Sequence, residues 1–234
     1  SAGPVAAVAP APGAAATQAP VPTRVDPVPA PAATATVATA PVAASAAAPA
    51  PAAPASPAAA FDAPAEFAHV LQARTPGWSA NLSIERPALR MDRDQLRFTL
   101  HSDQDGYVTV FHYGTDGQLL QLYPNRHVPS PRISRGVPLK LPAAPVVFNV
   151  SGPPGVSQLL AVVSRFPRDL SALAPKDLDG YLAFAPDAAA LRRSQAANQA
   201  AGHALPPLAG LPRCGKPPCD DAFGAVLASY DVLP

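Results

Sequence analysis

Residues 105–125 read Asp-Gly-Tyr-Val-Thr-Val-Phe-His-Tyr-Gly-Thr-Asp-Gly-Gln-Leu-Leu-Gln-Leu-Tyr-Pro-Asn, a pattern that suits a β-hairpin better than any other local structure. Two runs rich in aromatic and aliphatic residues, 107–113 and 118–123, flank Gly114-Thr115-Asp116-Gly117. The Asp-Gly step fits the positive φ angles of a tight hairpin turn. Both alternating faces carry apolar residues (Val108, Val110 and Phe111; Leu119, Leu120 and Leu122). That is expected of a central pair covered on both sides.

Other segments extend the same picture. Leu82 and Ile84 alternate with Ser83 and Glu85, and Leu96, Phe98 and Leu100 alternate with Arg97, Thr99 and His101, the period of strands with one buried face. Pro138-Leu139-Lys140-Leu141-Pro142 is a proline-bounded strand that belongs at a sheet edge. Strands are also expected over 146–150, 158–164 and 225–232, with a turn at Ser151-Gly152-Pro153-Pro154-Gly155. Two short helices complete the reading. The first is capped by Asp62, has Pro64 in its first turn and Phe67, Val70 and Leu71 on one face, and ends near Thr75-Pro76-Gly77. The second runs from near Asp187 to Gly202, and its lone large apolar residue, Leu191, implies a shallow dock or a mobile insertion. Seven or eight short strands with turn signals between them point to a mainly β fold, an antiparallel, immunoglobulin-like β-sandwich with short peripheral helices.

Ahead of this domain, residues 1–60 are mostly Ala, Pro, Val, Ser and Thr, with Arg24 and Asp26 their only charges. Proline is too frequent there for helices or central strands, and alanine buries too little area to offset an ordering cost of about 1–2 kcal/mol per residue. A disordered, partly polyproline II spacer is expected, with an extended limit on the order of 190 Å. Residues 61–234 are then enough for one domain with its own core. No apolar run reaches the ~18–20 residues that span a bilayer. Either the fragment is soluble in its entirety or, as the low-charge spacer suggests, a signal or anchor lies upstream of Ser1 and the membrane is reached only through it.

The net charge of +1 gives no global field that would favour nucleic acid. Locally, Arg126, Arg132, Arg135, Lys140, Arg165 and Arg168 fall in a stretch without acids. They read as solvated loop charges offset in space by Asp92, Asp94, Asp103 and Asp105. Cys214 and Cys219, the two cysteines of the chain, bracket Gly-Lys-Pro-Pro. A small structural disulfide fits that spacing and an oxidising compartment. Free thiols, zinc and redox chemistry are the alternatives, but zinc lacks a nearby His pair and the spacing is not Cys-x-x-Cys.

Catalytic patterns are weak. His101, Asp103 and Asp105 before Gly106 resemble half a calcium loop without its closing acid. Ser157 follows Gly155 at nucleophile-elbow spacing, but Leu159 stands where the second glycine is needed. Ser164 has no histidine selected for it by spacing. Glycine-rich phosphate loops and kinase motifs are absent from the sequence. No catalytic residue, metal site or cofactor is therefore assigned. Tyr123-Pro124-Asn125 reads as a bend after the hairpin with Asn125 bonded to nearby backbone. A rim comprising Tyr113, Tyr123, Asn125, Arg126, Arg132 and Arg135 is the candidate interaction surface, because exposed aromatic and Arg side chains anchor many protein interfaces.

Taken together, Asp105-Gly106-Tyr107, Asp116-Gly117, Leu122-Tyr123-Pro124-Asn125, Gly136 before Pro138, Gly152-Pro153-Pro154-Gly155 and the apolar strand ending in Ser164 resemble the bacterial domain family DUF4384. The resemblance covers about residues 81–167 and leaves 168–234 as an elaboration. It implies a compact extracytoplasmic β-sandwich of the kind found C-terminal to serine/threonine kinases or caspase-like peptidases, beyond a membrane segment and a low-complexity linker, or in stand-alone envelope proteins. The family offers no catalytic residues to map. The combined expectation is a non-enzymatic sensor or protein-interaction domain in the periplasm, tethered to the inner membrane, with a protein or envelope ligand as partner and no nucleic acid. A structural or accessory envelope protein, for example of a secretion system, is the alternative.

Overall fold

The computed structural model describes residues 61–216 and 218–234; the spacer expected over 1–60 lies outside them. Asp62 accepts a hydrogen bond from Ala65 N at 3.1 Å and so caps α1 (Ala63–Gln72), whose Phe67 and Val70 face inward as the sequence requires. The chain continues through β1 (Ala80–Ile84), β2 (Ala88–Arg90) and β3 (Phe98–Ser102). The hairpin β4 (Gly106–Tyr113) and β5 (Leu119–Tyr123) follows, then β6 (Arg132–Ile133), β7 (Leu139–Leu141) and the long β8 (Gly155–Ser164). Beyond it lie β9 (Arg168–Asp169), β10 (Lys176–Leu178), β11 (Tyr181–Phe184), α2 (Ala188–Ala200), β12 (Leu211–Pro212) and β13 (Phe223–Leu233).

These strands form a mainly β fold. The large sheet has the order β10-β11-β5-β4-β8-β13-β2, with β6 beside the start of β4. All its pairs are antiparallel except β13 with β2. A smaller sheet, β1-β3-β7, lies against one face, and β7 is at its edge as the flanking prolines demand. Between the two sheets Leu82, Phe98, Leu100 and Leu141 meet Val108, Val110, Leu159, Ala161 and Val163. The opposite face carries Phe111, Leu160, Val162 and Ala225, covered by α1 and by Leu170, Leu173 and Leu208 from the C-terminal third. Residues 168–234 are thus built into the fold, with β13 as an interior strand and β10 and β11 as an edge.

Four local outcomes differ from the sequence reading. Only Gly117 takes positive φ in the hairpin turn (+77°), while Asp116 does not and instead accepts from Gln118 N at 3.0 Å. Residues 146–150 form no strand. Prolines 142 and 145 remove donors nearby, and a single bridge, Gln95 to Asn149, remains, although Val146, Phe148 and Val150 still point inward. Helix α2 buries Ala190, Ser194 and Asn198, residues the sequence reading did not single out, while Leu191 packs only partly buried against the opposite-face core, the shallow dock expected of it. The fourth difference is Arg168. It is withdrawn from solvent, donating to the Gly210, Asp221 and Ala222 carbonyls at 3.3, 2.7 and 3.2 Å, and its guanidinium lies 5.2 Å from the Phe223 ring centroid. Burial lowers its pKa to about 10, which Asp221 and Asp220 partly oppose.

The glycine of the Asp-Gly-Tyr motif has a packing reason. A Cβ at Gly106 would stand 2.8 Å from the Ser164 carbonyl oxygen and 2.8 Å from Val163 Cγ1. Neither neighbour yields without moving β8. Gly106→Ala should therefore lower the unfolding free energy by about 1–3 kcal/mol, read from urea denaturation. Gly215→Ala, with nothing within 4 Å, should change it by less than about 0.5 kcal/mol.

Candidate functional site

The rim residues inferred from sequence are not brought together. Tyr123 is 0% exposed inside the sandwich, contrary to its expected place on a rim. The cause is a β-bulge: Val110 pairs with Tyr123 and Phe111 with Gln121, so Leu122 is an extra residue that shifts the alternation. Leu122 and Tyr123 both join the inter-sheet core as a result. Burial pushes the Tyr123 hydroxyl pKa up to about 12.

Asn125 is also buried and does what its position after Tyr-Pro implies. Its side-chain oxygen accepts from His127 N and Val128 N at 2.9 and 2.7 Å, and its amide donates to the Leu122 carbonyl at 2.8 Å. Tyr113 packs partly buried against the opposite core, while Arg126 pairs with Asp177 at 3.2 Å. Arg132 stacks 4.6 Å from the Tyr107 centroid, at the far end of β4 from Tyr113. The Arg135 backbone N–H donates to Asp105. Six steps of ~3.3 Å place Tyr107 and Arg132 about 20 Å along β4 from Tyr113, so these side chains do not cluster.

The other weak motifs resolve into local structure. Asp103 accepts from Ser79 N at 2.9 Å and Asp105 from Arg135 N at 2.7 Å. No group of three or more His, Cys, Asp or Glu suited to a metal occurs among the described residues. Ser164 is fully buried and donates to the Phe166 carbonyl at 2.8 Å. The basic stretch finds its carboxylate partners in Asp177 and Asp220, on Arg126 and Arg165, rather than in the acids at 92–105.

A different constellation lies between the sheets at the β4–β5 turn end of the sandwich. A pocket of about 210 Å³ is lined by Leu96, Leu122, Phe148, Tyr181, His112 and Tyr230, among others. His112 Nε2 and the Tyr230 hydroxyl share a 2.9 Å hydrogen bond, and the rings lie 6.1 Å apart, nearly parallel. Burial raises the Tyr230 pKa, opposed by a hydrogen bond from Ser157, which is itself buried. Burial also holds His112 well below the usual histidine range, at about 4, against a weaker upward pull from Asp116. At neutral pH the imidazole is therefore uncharged. No spacing joins residues 112, 148, 181 and 230, but one signal was present: His112 shares the inward parity of Val108 and Val110.

The described residues thus define a mainly β sandwich with an internal polar pair at one mouth. Within it, residues 90–167, from the end of β2 to just past β8, match the family described as "Domain of unknown function (DUF4384)". That span is somewhat shorter than the 81–167 read from the motifs, and β1 lies outside it. No curated protein matches the chain. The Cys214–Cys219 disulfide is formed, which is consistent with an oxidising compartment. Among the described residues no helix is long and apolar enough to cross a membrane.

The half-buried His112 gives stability a pH dependence. Its folded pKa of about 4 lies below the ordinary 6.5, so between these values the unfolded chain binds more protons. The stabilisation from keeping it neutral is complete above about pH 6.5 and is lost as pH falls toward 4, reaching about 3 kcal/mol there. His112→Gln should remove this component, giving a shallower fall than the parent between pH 7 and 4 in urea titrations at stepped pH. Asn125→Ala should cost about 2–3 kcal/mol at any pH, because it leaves two backbone donors and a carbonyl without their partner.

Proposed function

We propose that this chain is a non-enzymatic, extracytoplasmic sensor domain, the periplasmic C-terminal part of a membrane-anchored signalling protein such as a serine/threonine kinase. The observation that carries the reading is the pocket at the sandwich mouth, where aliphatic and aromatic walls and a few polar groups surround one shared hydrogen bond between His112 and Tyr230. Such a site suits binding and discrimination. The disulfide is consistent with a placement outside the cytoplasm. Signalling would follow from a ligand's differential affinity for two states of the domain, passed on as a change in association or orientation of the anchored chain.

A second reading, a structural or accessory envelope protein, is favoured by one feature. Val137 beside edge strand β7 and Leu178 on edge strand β10 are 56% and 42% exposed, which suits docking by strand addition.

Thiol trapping of the natural full-length protein in fractionated cells tests the placement. Cys214 and Cys219 should resist alkylation until a reductant is added, and the protein should sediment with inner membranes. Cytoplasmic recovery with free thiols would overturn the reading. Sequencing upstream of Ser1 separates the two versions: a kinase domain and a bilayer-spanning segment support the sensor, whereas a bare signal or lipoprotein peptide supports the envelope component.

A further inference from the structure

The sandwich-mouth pocket has a definite chemical character. Its volume of about 210 Å³ exceeds the ~150 Å³ of an apolar protein cavity that accommodates benzene, so one ring with a small substituent fills it. Phe148 and Tyr181 meet edge to face in its wall, with centroids 6.1 Å apart and planes 61° apart, leaving ring surface suited to another aromatic. Leu96, Leu120 and Leu122 supply aliphatic contact. None of the lining residues is Asp, Glu, Lys or Arg. An ion entering would lose hydration without gaining a counter-charge.

Polar capacity is uncharged and comes from His112, Tyr181 and Tyr230, with Asn149 and Ser151 on the 147–151 side. His112 Nε2 is engaged with Tyr230, while His112 Nδ1 and the Tyr181 hydroxyl have no hydrogen-bond partner among the described residues. A hydroxyl group donates and accepts, so it can serve an imidazole nitrogen in either tautomer as well as a phenol. A pure hydrocarbon would leave these groups without a partner, at a cost in affinity.

We propose that this pocket is a binding site for a small uncharged ring compound bearing one hydroxyl group, of which phenol is the simplest, with His112 as the polar recognition residue and Phe148 and Tyr181 as the ring contacts. The proposal deepens the sensing reading and rests on it for its biological meaning. Occupancy is measured on the isolated chain, however, so a failure to bind phenol leaves the thiol-trapping and fractionation results standing, and the converse holds.

The test is titration of phenol, toluene and sodium benzoate into the 234-residue chain, followed by two-dimensional amide NMR. Phenol should give saturable shifts confined to the neighbourhood of His112, Leu122, Phe148 and Tyr230, with a Kd in the millimolar range or below. It should bind at least threefold tighter than toluene and tenfold tighter than benzoate. Ser151→Trp, at an exposed position of the mouth, should weaken phenol at least tenfold while leaving Tm unchanged, and His112→Phe should abolish the preference for phenol over toluene. Non-saturable or dispersed shifts, equal binding of toluene, or full binding by Ser151→Trp would overturn the proposal. Should His112→Phe fail to fold, the Ser151→Trp result and the toluene comparison decide.

Discussion

Strand β8 is the member on which the other layers are assembled. Its residues from Leu159 to Ser164 are buried on both faces, and it is hydrogen bonded to β4 along one edge and to β13 along the other. Alternation along it sends Leu159, Ala161 and Val163 into the sandwich and Leu160 and Val162 toward α1 and the C-terminal third. A strand buried in this way needs cover on both faces. The three-stranded sheet supplies one cover, and the segments after residue 167 supply the other. This is why the part of the chain beyond the family match is not an appendage: without β13 the inner edge of β8 is unpaired, and without Leu170, Leu173 and Leu208 one face of Leu160 and Val162 is wet.

Arg168 ties these parts together. It stands four residues past the end of β8, and its guanidinium reaches the carbonyls of Gly210, Asp221 and Ala222, just ahead of β13. A buried guanidinium is tolerated only where its donors are met. Three carbonyls and the Phe223 ring face meet most of them, while Nε finds no partner. The arrangement sets the entry of β13 relative to the exit of β8. A solvated charge has no such effect, and the charge pattern alone gave no reason to separate Arg168 from Arg165, which is exposed and paired with Asp220.

Much of the fold was legible because its signals are local. The Asp62 cap, the period-two runs at 82–84 and 96–100, the proline-bounded edge strand and the Asn125 turn each depend on residues within a few positions of one another, and each appears where the pattern put it. What failed depended on distant partners or on a one-residue shift. A bulge at Leu122 has no marker in sequence, yet it carries Tyr123 from the expected rim into the core. The segment at 146–150 has strand-like composition, but only Asn149 finds a bridge partner, at Gln95, and that pairing leaves no local mark in the sequence. Besides the expected shallow contact of Leu191, helix α2 buries Ala, Ser and Asn, residues too small or too polar to register as an apolar face. The pocket was least legible of all, because its walls come from five separate regions and its polar pair, His112 and Tyr230, is 118 positions apart.

Phe148 explains how such a pocket can matter beyond itself. The ring lies 6.5 Å from Phe98, 5.7 Å from Tyr123 and 6.1 Å from Tyr181, so it belongs at once to the inter-sheet core and to the pocket wall. Its backbone carbonyl accepts from Leu96 N at 2.9 Å, and Val150 exchanges hydrogen bonds with Asp92 and Asp94. Residues 146–150 are therefore held to the body by a few backbone bonds and one aromatic cluster, without the continuous ladder that fixes β8. An occupant of the proposed site would therefore touch the least extensively paired part of the wall, and through Phe148, which stacks on Phe98 of the small sheet, it would bear on the packing between the two sheets.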